Sequence, residues 1–345
     1  MNKTQLKRKL SLFLMDFRQY LIVVYSVGFL KPIVKFPIKI CDFILARAFG
    51  NTFIEFELSS LCNAKCIFCF YPDIEKSDKK LERMTDVNFD KALEKIEQLD
   101  YSFISFTPTT GDILTNKVWD EHLFKATELK KIRQITFYSN AILLNESNQV
   151  KMIELLKKDK KKKIFALFFS VGGLDRETYD FMFGVDKYDA VVRNINAFLV
   201  KLKNEGIVTN VSIEFRLPKD YNLNFTDAMK VFNQVGYSFV NINVLDKFMS
   251  NNHLPLFKEL EYMPEGKPTH TACAYLSKTR FSADGGIWAD GCVVSEVVDD
   301  ESLRLGSVDD SIELIEKNRS KIINDWEKDM IIPLPCKGCT FMRID

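Results

Sequence analysis

Histidine is scarce in this sequence, and neither sign of charge prevails. The 345 residues include three His, 10 Pro and 14 Gly, and 48 Lys and Arg face 47 Asp and Glu, for a formal net charge of +1. So little Pro and Gly excludes a collagen-like fibre, and a hydrophobic content of 46% excludes a disordered chain. The neutral balance argues against a protein that coats nucleic acid, so we expect no nucleic-acid partner. The length suits a barrel-sized domain and a smaller one.

A long hydrophobic run is absent as well. The longest apolar run, residues 21–30, is too short for a bilayer span, which needs about 20 residues. It belongs to a basic segment, because residues 1–50 hold nine Lys and Arg against two Asp. We expect residues 1–50 to form a helical arm that packs on the main domain, with contact to an anionic membrane surface as the alternative. Asp16 and Arg18 interrupt the apolar stretch that a signal peptide needs, which predicts a cytoplasmic protein.

Beyond residue 50, strand-like and helix-like segments alternate. The predicted strands are residues 52–58, 102–107, 134–139, 164–170, 208–217 and 239–245. The predicted helices are residues 86–99, 117–131, 147–157, 188–203 and 222–235, with Asp86 and Ser147 as predicted N-caps. This alternation indicates a parallel sheet with helical crossovers, and its six units predict an α/β fold, an open, partial (β/α)6 TIM-like barrel. A Pro-rich connection at 254–268 predicts a boundary between a barrel domain, residues 51–250, and a second domain, residues 251–345.

The eight cysteines are unevenly distributed. Seven fall into two sets, and for the remaining Cys41 we expect simple packing. In a long chain without a secretion signal we expect thiols rather than disulfides, and clustered thiols indicate a metal site. The first set is Cys62-Asn-Ala-Lys-Cys66-Ile-Phe-Cys69, directly after the first predicted strand. In a barrel, the active-site loops begin at that end of each strand.

Three closely spaced thiolates can hold three corners of an iron–sulfur cubane and leave the fourth iron open. A structural zinc site is the alternative, but it needs four closed ligands, and no fourth ligand lies nearby in the sequence. The CxxxCxxC spacing, with the aromatic Phe68 before the last cysteine, resembles the motif of radical S-adenosylmethionine (SAM) enzymes.

This resemblance extends over about residues 51–345. It implies that Cys62, Cys66 and Cys69 hold a 4Fe–4S cluster whose open iron binds S-adenosyl-L-methionine, next to the cofactor-binding Phe68. It also implies reductive cleavage of SAM, which releases a 5′-deoxyadenosyl radical that abstracts hydrogen from a substrate.

Further positions match that family residue by residue. Thr110-Gly111-Asp112 occupies the place of the Gly-Gly-Glu turn that holds the methionyl amine, with Thr for Gly and Asp for Glu. Asn140 resembles the Asn of the Asn-Gly turn after the third strand, here followed by Ala141 instead of glycine. Ser170 resembles the residue at the tip of the fourth strand that meets the ribose. The resemblance thus implies cofactor-binding roles for these residues.

The alternation of side chains along the strands predicts a polar lumen. On the fifth strand Ser212, Glu214 and Arg216 share one face and apolar residues share the other. The same alternation occurs on the first, third and sixth strands, at Glu55 and Glu57, at Thr136, Tyr138 and Asn140, and at Asn241 and Asn243. Because the apolar faces must meet the helices, we expect an open polar cavity, with Arg216 as the candidate ligand for the SAM carboxylate. An offset of one residue in a strand would reverse its faces.

The second set is Cys273, Cys292, Cys336 and Cys339. Between its members the sequence predicts a β-hairpin that turns at Asp284-Gly285-Gly286 and a helix from about Asp309. Four thiolates can close a zinc site or fully ligate a 4Fe–4S cluster. After a radical SAM barrel, the arrangement resembles the twitch domain, a shortened SPASM domain, which implies a second, auxiliary 4Fe–4S cluster suited to electron transfer.

Three functions remain in competition. The polar lumen and the closed auxiliary cluster favour dehydrogenation or epimerisation of a sugar, a cyclitol or a similar small molecule. A base would take a proton and the auxiliary cluster an electron, but none of the three His lies on a predicted lumen strand, so the sequence names no base. The implied protein partner is a reductant such as flavodoxin or ferredoxin. The alternatives are modification of a ribosomally made peptide and a non-catalytic zinc protein.

Overall fold

A computed structural model gives the architecture of the chain. It describes residues 53–69, 71–76, 80–99, 101–107, 110–159, 163–218, 220–248, 276, 278–289, 301–333 and 336. The predicted arm at residues 1–50, the Pro-rich connection and Cys41, Cys273, Cys292 and Cys339 lie outside the described residues.

The described strands form one sheet. They are β1 (Phe53–Phe56), β2 (Phe103–Phe106), β3 (Gln134–Ser139), β4 (Ile164–Val171), β5 (Asn210–Pro218), β6 (Val240–Phe248), β7 (Thr279–Phe281), β8 (Gly286–Trp288) and β9 (Arg304–Ser307). The order across the sheet is β6-β5-β4-β3-β2-β1-β7-β8-β9. Strands β1 to β6 pair in parallel, each with the next in the chain. The predicted partial barrel is therefore confirmed, and it is open at β6.

Helices connect these strands. They are α1 (Tyr71–Ile74), α2 (Asp86–Gln98), α3 (Trp119–Thr127), α4 (Glu146–Lys158), α5 (Arg176–Phe183), α6 (Tyr188–Asn204), α7 (Phe225–Phe232) and α8 (Ile312–Asp329). Their apolar faces cover the outer face of the sheet, where Phe56, Phe137 and Phe169 are fully buried. Within the described part of the chain, no helix has the length and apolar character needed to cross a bilayer.

Both predicted N-caps are wrong by one or two residues. Thr85 caps α2 and Asn145 caps α4, each accepting a hydrogen bond from a first-turn amide at 3.1 Å. Asp86 and Ser147 lie inside the first turns instead. The reason is geometric, because only a residue with extended backbone just before the helix can direct its side-chain oxygen to the free amides.

The predicted hairpin is present, and it belongs to the same sheet as the barrel. Strands β7 and β8 pair antiparallel around Gly285, which has a φ of +89°. Strand β7 pairs in parallel with β1, with Glu55 opposite Arg280. The Arg319 guanidinium of α8 holds β7 in place by donating to the carbonyls of Leu276 and Lys278, both at 2.6 Å. The helix predicted from about Asp309 is present as α8, and it begins three residues later, at Ile312.

The expected separation of apolar and polar faces is visible on β5. Val211, Ile213 and Phe215 are fully buried on one face, and Ser212 and Glu214 are enclosed on the other.

On β6 the polar face is not enclosed, because Asn241 and Asn243 are exposed. In the described part of the chain β6 ends the sheet, so no further strand covers it. Asn243 still donates a hydrogen bond to the Ser212 hydroxyl at 2.9 Å.

Candidate functional site

The first cysteine set lies in the loop after β1, which is fastened to the end of α5. The amides of Lys65 and Ile67 donate to the carbonyls of Phe183 and Met182 at 2.9 and 3.1 Å. These carbonyls are in the last turn of α5, where no intrahelical amide reaches them. Gly184 ends α5 with a φ of +64°, and a Cβ there would lie 2.4 Å from the Lys65 carbonyl oxygen. Helix α5 thus fixes the path of the cysteine loop.

The three thiols line one pocket of about 220 Å³ at the carboxyl ends of the barrel strands. The pocket is lined by Cys62, Cys66, Cys69, Phe68, Thr107, Gly111, Asp112, Tyr138, Ser139, Asn140, Ser170, Phe183 and Arg216. The structure therefore brings the predicted cofactor residues together with the cysteines, with one exception. Thr110 borders a second cavity of about 200 Å³, between the β1 loop and the hairpin.

Asp112 joins two of the loops around the pocket. Its Oδ1 accepts hydrogen bonds from the amide of Leu114 at 2.9 Å and the hydroxyl of Ser139 at 3.2 Å. Its Oδ2 accepts from the Ser139 hydroxyl at 2.9 Å and the Asn140 amide at 2.8 Å. The carboxylate is buried and engaged with these donors, so it positions the end of β3 relative to the turn after β2.

Gly111 brings that turn against the loop after β1. The amide of Asp112 donates to the Leu61 carbonyl at 2.9 Å, and the Thr115 hydroxyl donates to that of Ser59 at 2.7 Å. A side chain on Gly111 would occupy the space that this close approach uses. The glycine of the Thr110-Gly111-Asp112 turn is therefore required by the packing of the two loops.

Asn140 connects the end of β3 to the cysteine loop. Its Nδ2 donates to Asn63 Oδ1 at 2.7 Å and lies 3.8 Å from Cys62 Sγ. The following Ala141 has a φ of +60°, a left-handed conformation that glycine adopts more readily. This conformation explains why the related motif has glycine at this position.

Arg216 and Phe68 close one side of the pocket. The guanidinium carbon of Arg216 lies 5.1 Å from the centre of the Phe68 ring, a cation–π contact. The Phe68 ring meets Phe183 edge-on at 5.6 Å, which ties it to α5. The pairing of β5 with β6 shifts register between Phe215 and Arg216, and such irregularities redirect side chains near functional sites.

Sequence reasoning missed three residues of the site: Asn63, Thr107 and Phe183. Thr107 is the last residue of the strand predicted at 102–107, so its position at the carboxyl edge of the sheet is the signal that points to it. Phe183 was missed because α5 was not predicted. No sequence signal distinguishes Asn63 from the other residues between the cysteines.

The charges of the thiols are strongly coupled to their surroundings. Burial and, after it, the negative charge of Asp112 together raise the pKa of Cys62 to about 12. Burial also raises the pKa of Cys66, with further increases from Cys69 and Cys62, whereas the positive charge of Arg216 lowers it. Three thiolates enclosed together need a cationic centre to balance their charge.

The residues present fit a 4Fe–4S cluster with SAM beside it. Three thiols converge on one pocket, and two buried hydrogen-bond donors, Asn63 Nδ2 and the Tyr179 hydroxyl, have no partner among the described residues. In the same part of the chain, no three His, Cys, Asp or Glu side chains converge as they would around a single metal ion. Thiolates at the corners of a four-iron cubane are spread more widely than thiolates on one ion.

Only one member of the second cysteine set can be located. Cys336 is half-buried against the core, and its amide donates to the Pro333 carbonyl at 2.9 Å. Cys273, Cys292 and Cys339 lie outside the described residues. The predicted ligand set of the auxiliary cluster therefore stays a prediction.

Comparisons with known proteins agree with this geometry. The model of the Radical SAM superfamily matches residues 56–213. A GTP 3′,8-cyclase of Clostridium botulinum (strain Okra / Type B1) is 26% identical over 114 residues, which are 32% of this chain and 33% of the cyclase. The match thus spans about a third of that curated relative's length.

Two solved structures of anSMEcpe have a similar fold. The polyhistidine-tagged form with bound AdoMet has a TM-score of 0.53 at 16% identity, over 84% of this chain and 83% of that chain. The native form with bound AdoMet and the Kp18Cys peptide has a TM-score of 0.51 at 16% identity, over 84% and 86%. The cysteine loop lies at the carboxyl end of the first strand of the partial barrel, and the Radical SAM superfamily model matches residues 56–213, so this part of the chain is a radical SAM domain.

Proposed function

We propose that this radical SAM enzyme is an oxidoreductase that dehydrogenates or epimerises a polar small molecule, such as a sugar or a cyclitol. The observation that supports this most directly is the polar wall of the lumen beside the cysteine pocket. Tyr138, Ser170 and Arg216 line the pocket from three neighbouring strands, and the buried Glu214 pairs in register with Ser170. A substrate rich in hydroxyl groups would satisfy such a wall.

The cofactors supply the radical chemistry: the cluster provides an electron, and cleaved SAM provides the 5′-deoxyadenosyl radical that takes a hydrogen atom from the substrate. In this proposal Cys62, Cys66 and Cys69 hold the cluster, and Arg216 pairs with the SAM carboxylate. Ser170 binds the ribose. Gly111, Asp112 and Asn140 shape the remainder of the pocket, and Thr110 begins the turn that carries the first two.

Glu214 is our candidate for the group that accepts a proton from the substrate. It is a buried carboxylate on the lumen face of β5, and no histidine lies on a described lumen strand. Burial and the charge of Glu214 together raise the pKa of Tyr138, so that phenol remains protonated and orients substrate hydroxyls as a donor.

The second cysteine set completes the proposal. Cys273, Cys292, Cys336 and Cys339 would hold the auxiliary 4Fe–4S cluster of a twitch or SPASM-type domain, residues 251–345, which in a dehydrogenation would accept the electron left on the substrate. A flavodoxin or ferredoxin would supply the reducing electron for SAM cleavage. Both roles follow from the chemistry of an oxidation that begins with hydrogen abstraction.

Peptide modification is the second candidate. One observation favours it: anSMEcpe, whose fold is similar, has been solved with AdoMet and the Kp18Cys peptide. The open edge at β6, where Asn241 and Asn243 are exposed, would leave room for an extended ligand.

Deuterium transfer distinguishes the candidates. The reconstituted enzyme is incubated anaerobically with SAM, reductant and carbon-deuterated substrates, either cyclitols and sugars or short peptides, and the 5′-deoxyadenosine is analysed by mass spectrometry. Deuterium from a cyclitol or sugar supports our proposal, whereas transfer only from peptides contradicts it. A Glu214→Gln variant should still form labelled 5′-deoxyadenosine but give little oxidised product, and an exposed-site control, Glu146→Gln, should match the wild type.

A further inference from the structure

Tyr179 lies on the face of α5 that packs beneath the cysteine loop. Its ring stacks on Phe183, one helical turn later, with centroids 4.9 Å apart and planes 12° apart. The carbonyl of Phe183 accepts a hydrogen bond from the amide of Lys65, and the Phe183 ring contacts the Phe68 ring edge-on. Tyr179 thus packs on Phe183, which contacts the cysteine loop through both its backbone carbonyl and its ring.

Close packing leaves α5 little freedom to move away from this position. A Cβ on Gly172 would lie 2.8 Å from the Phe183 ring, and one on Gly173 would lie 2.7 Å from Thr178. The two glycines that follow β4 therefore lie close against the helix, and the Tyr188 ring lies 5.9 Å from the Tyr179 ring. The phenol has a fixed direction.

The Tyr179 hydroxyl is fully buried and has no hydrogen-bond partner among the described residues. Leaving such a donor unsatisfied is costly, so a buried hydroxyl without a protein partner indicates a missing one. Burial raises the pKa of Tyr179, and among the charges that raise it further Cys66 comes first, followed by Asp180, Asp112 and Cys62. The hydroxyl therefore stays protonated and lies in the field of the cluster-binding thiols.

We propose that Tyr179 donates a hydrogen bond to a sulfur of the SAM-binding cluster when the cluster is in place. The proposal rests on the cluster assigned above. A hydrogen bond to a cluster sulfur stabilises the more negative, reduced state and raises its reduction potential. Tyr179 thus sets how readily the cluster accepts an electron.

The test is a potentiometric titration of the full-length reconstituted enzyme, followed by the EPR signal of the reduced cluster that changes when SAM is added. Tyr179→Phe keeps the ring stack and removes only the hydroxyl. We expect unchanged iron per chain and a tenfold less favourable reduction, which for one electron is a midpoint potential about 59 mV lower. Tyr188→Phe is the matched control, because its hydroxyl bonds to the Leu174 carbonyl, and it should leave the potential unchanged.

An unchanged potential in Tyr179→Phe at full iron content would overturn the proposal. If that variant loses its iron, the enzyme with 3-fluorotyrosine at position 179 replaces it in the test. The fluorinated phenol is more acidic and donates a stronger hydrogen bond, so the midpoint potential of the cluster should rise. A midpoint potential that does not rise would overturn the proposal. The absence of any SAM-responsive cluster signal in the wild type would overturn both this inference and the proposed function. The tyrosine role alone fails when that signal is present and neither substitution moves it.

Discussion

A Cβ on Gly111 would lie 2.1 Å from the backbone carbonyl oxygen of Ser59. This contact joins the turn after β2 to the loop that leads into the first cysteine. Because the obstructing atom belongs to the backbone, it cannot rotate away as a side chain would. The glycine therefore sets the distance between the two loops of the cofactor pocket.

Gly111→Ala is expected to destabilise the protein by about 3 kcal/mol and to prevent normal cluster loading, since one loop must move to admit the methyl group. The free energy of unfolding and iron per chain measure both effects. Gly206→Ala is the control, because a Cβ there meets nothing within 4 Å, although its φ of +62° costs about 1 kcal/mol. Equal iron contents in the two variants would contradict the expected role of Gly111.

Arg216→Lys should weaken SAM binding at least about tenfold while leaving iron content intact. Lysine keeps the charge but loses the planar fork that pairs with a carboxylate, and it contacts the Phe68 ring less well. Equilibrium binding of SAM to the reconstituted protein measures the effect. Arg193→Lys, on the exposed surface of α6, should bind SAM like the wild type. Wild-type affinity in the Arg216 variant would mean that another group holds the carboxylate.

Ala141→Gly should be neutral or stabilising by up to about 1 kcal/mol. The substitution relieves about 1 to 2 kcal/mol of left-handed strain and loses a buried methyl group worth about 0.8 kcal/mol. In contrast, Ala197→Gly, in the middle of α6, should cost about 1 kcal/mol. Urea unfolding of the two variants checks the difference, and an equal loss of stability in both would show that Ala141 is not strained.

The pH dependence of stability should report on His122, which is fully buried and lies 2.8 Å from Asp86 Oδ1. Burial lowers its pKa in the folded protein, although the Asp86 carboxylate acts in the opposite direction. As the pH falls below about 6.5, the unfolded chain takes up a proton at this histidine before the folded protein does. The stability that the neutral, buried imidazole contributes is therefore full above about pH 6.5 and is lost as the pH falls towards the folded-state pKa.

His122→Gln removes this titration and retains a donor for Asp86. Between pH 7.5 and 5 its free energy of unfolding should decrease less steeply than that of the wild type, by at most about 1.4 kcal/mol per pH unit. Parallel curves for the two proteins would show that the imidazole of the wild type is not held neutral.

Much of the fold follows from local patterns in the sequence. The order of β1 to β6 was predictable because each parallel strand pairs with the next along the chain, so periodicity and chain order suffice. The same logic places Gly111, Asn140 and Ser170 at one edge of the sheet. Helix α5 was missed although Asp175 caps it and Gly184 ends it, because its two turns follow a pair of glycines without a long apolar repeat.

Non-local contacts account for what the sequence could not predict. The pairing of β7 with β1 joins residues more than two hundred positions apart, and it depends on Arg319 anchoring β7 to α8. No local pattern records that Asp112 accepts four hydrogen bonds, or that Tyr179 lies beneath the cysteine loop. These relationships exist only once the chain is packed.

The central claim is that Cys62, Cys66 and Cys69 hold a cluster that cleaves SAM. Its most direct test is anaerobic reconstitution with iron and sulfide, followed by addition of dithionite and SAM and quantification of 5′-deoxyadenosine and iron per chain. We predict about eight irons for the two clusters and 5′-deoxyadenosine formation that disappears when the three cysteines are changed to Ala. Stoichiometric zinc without SAM cleavage, or equal 5′-deoxyadenosine from the triple variant, would contradict the claim.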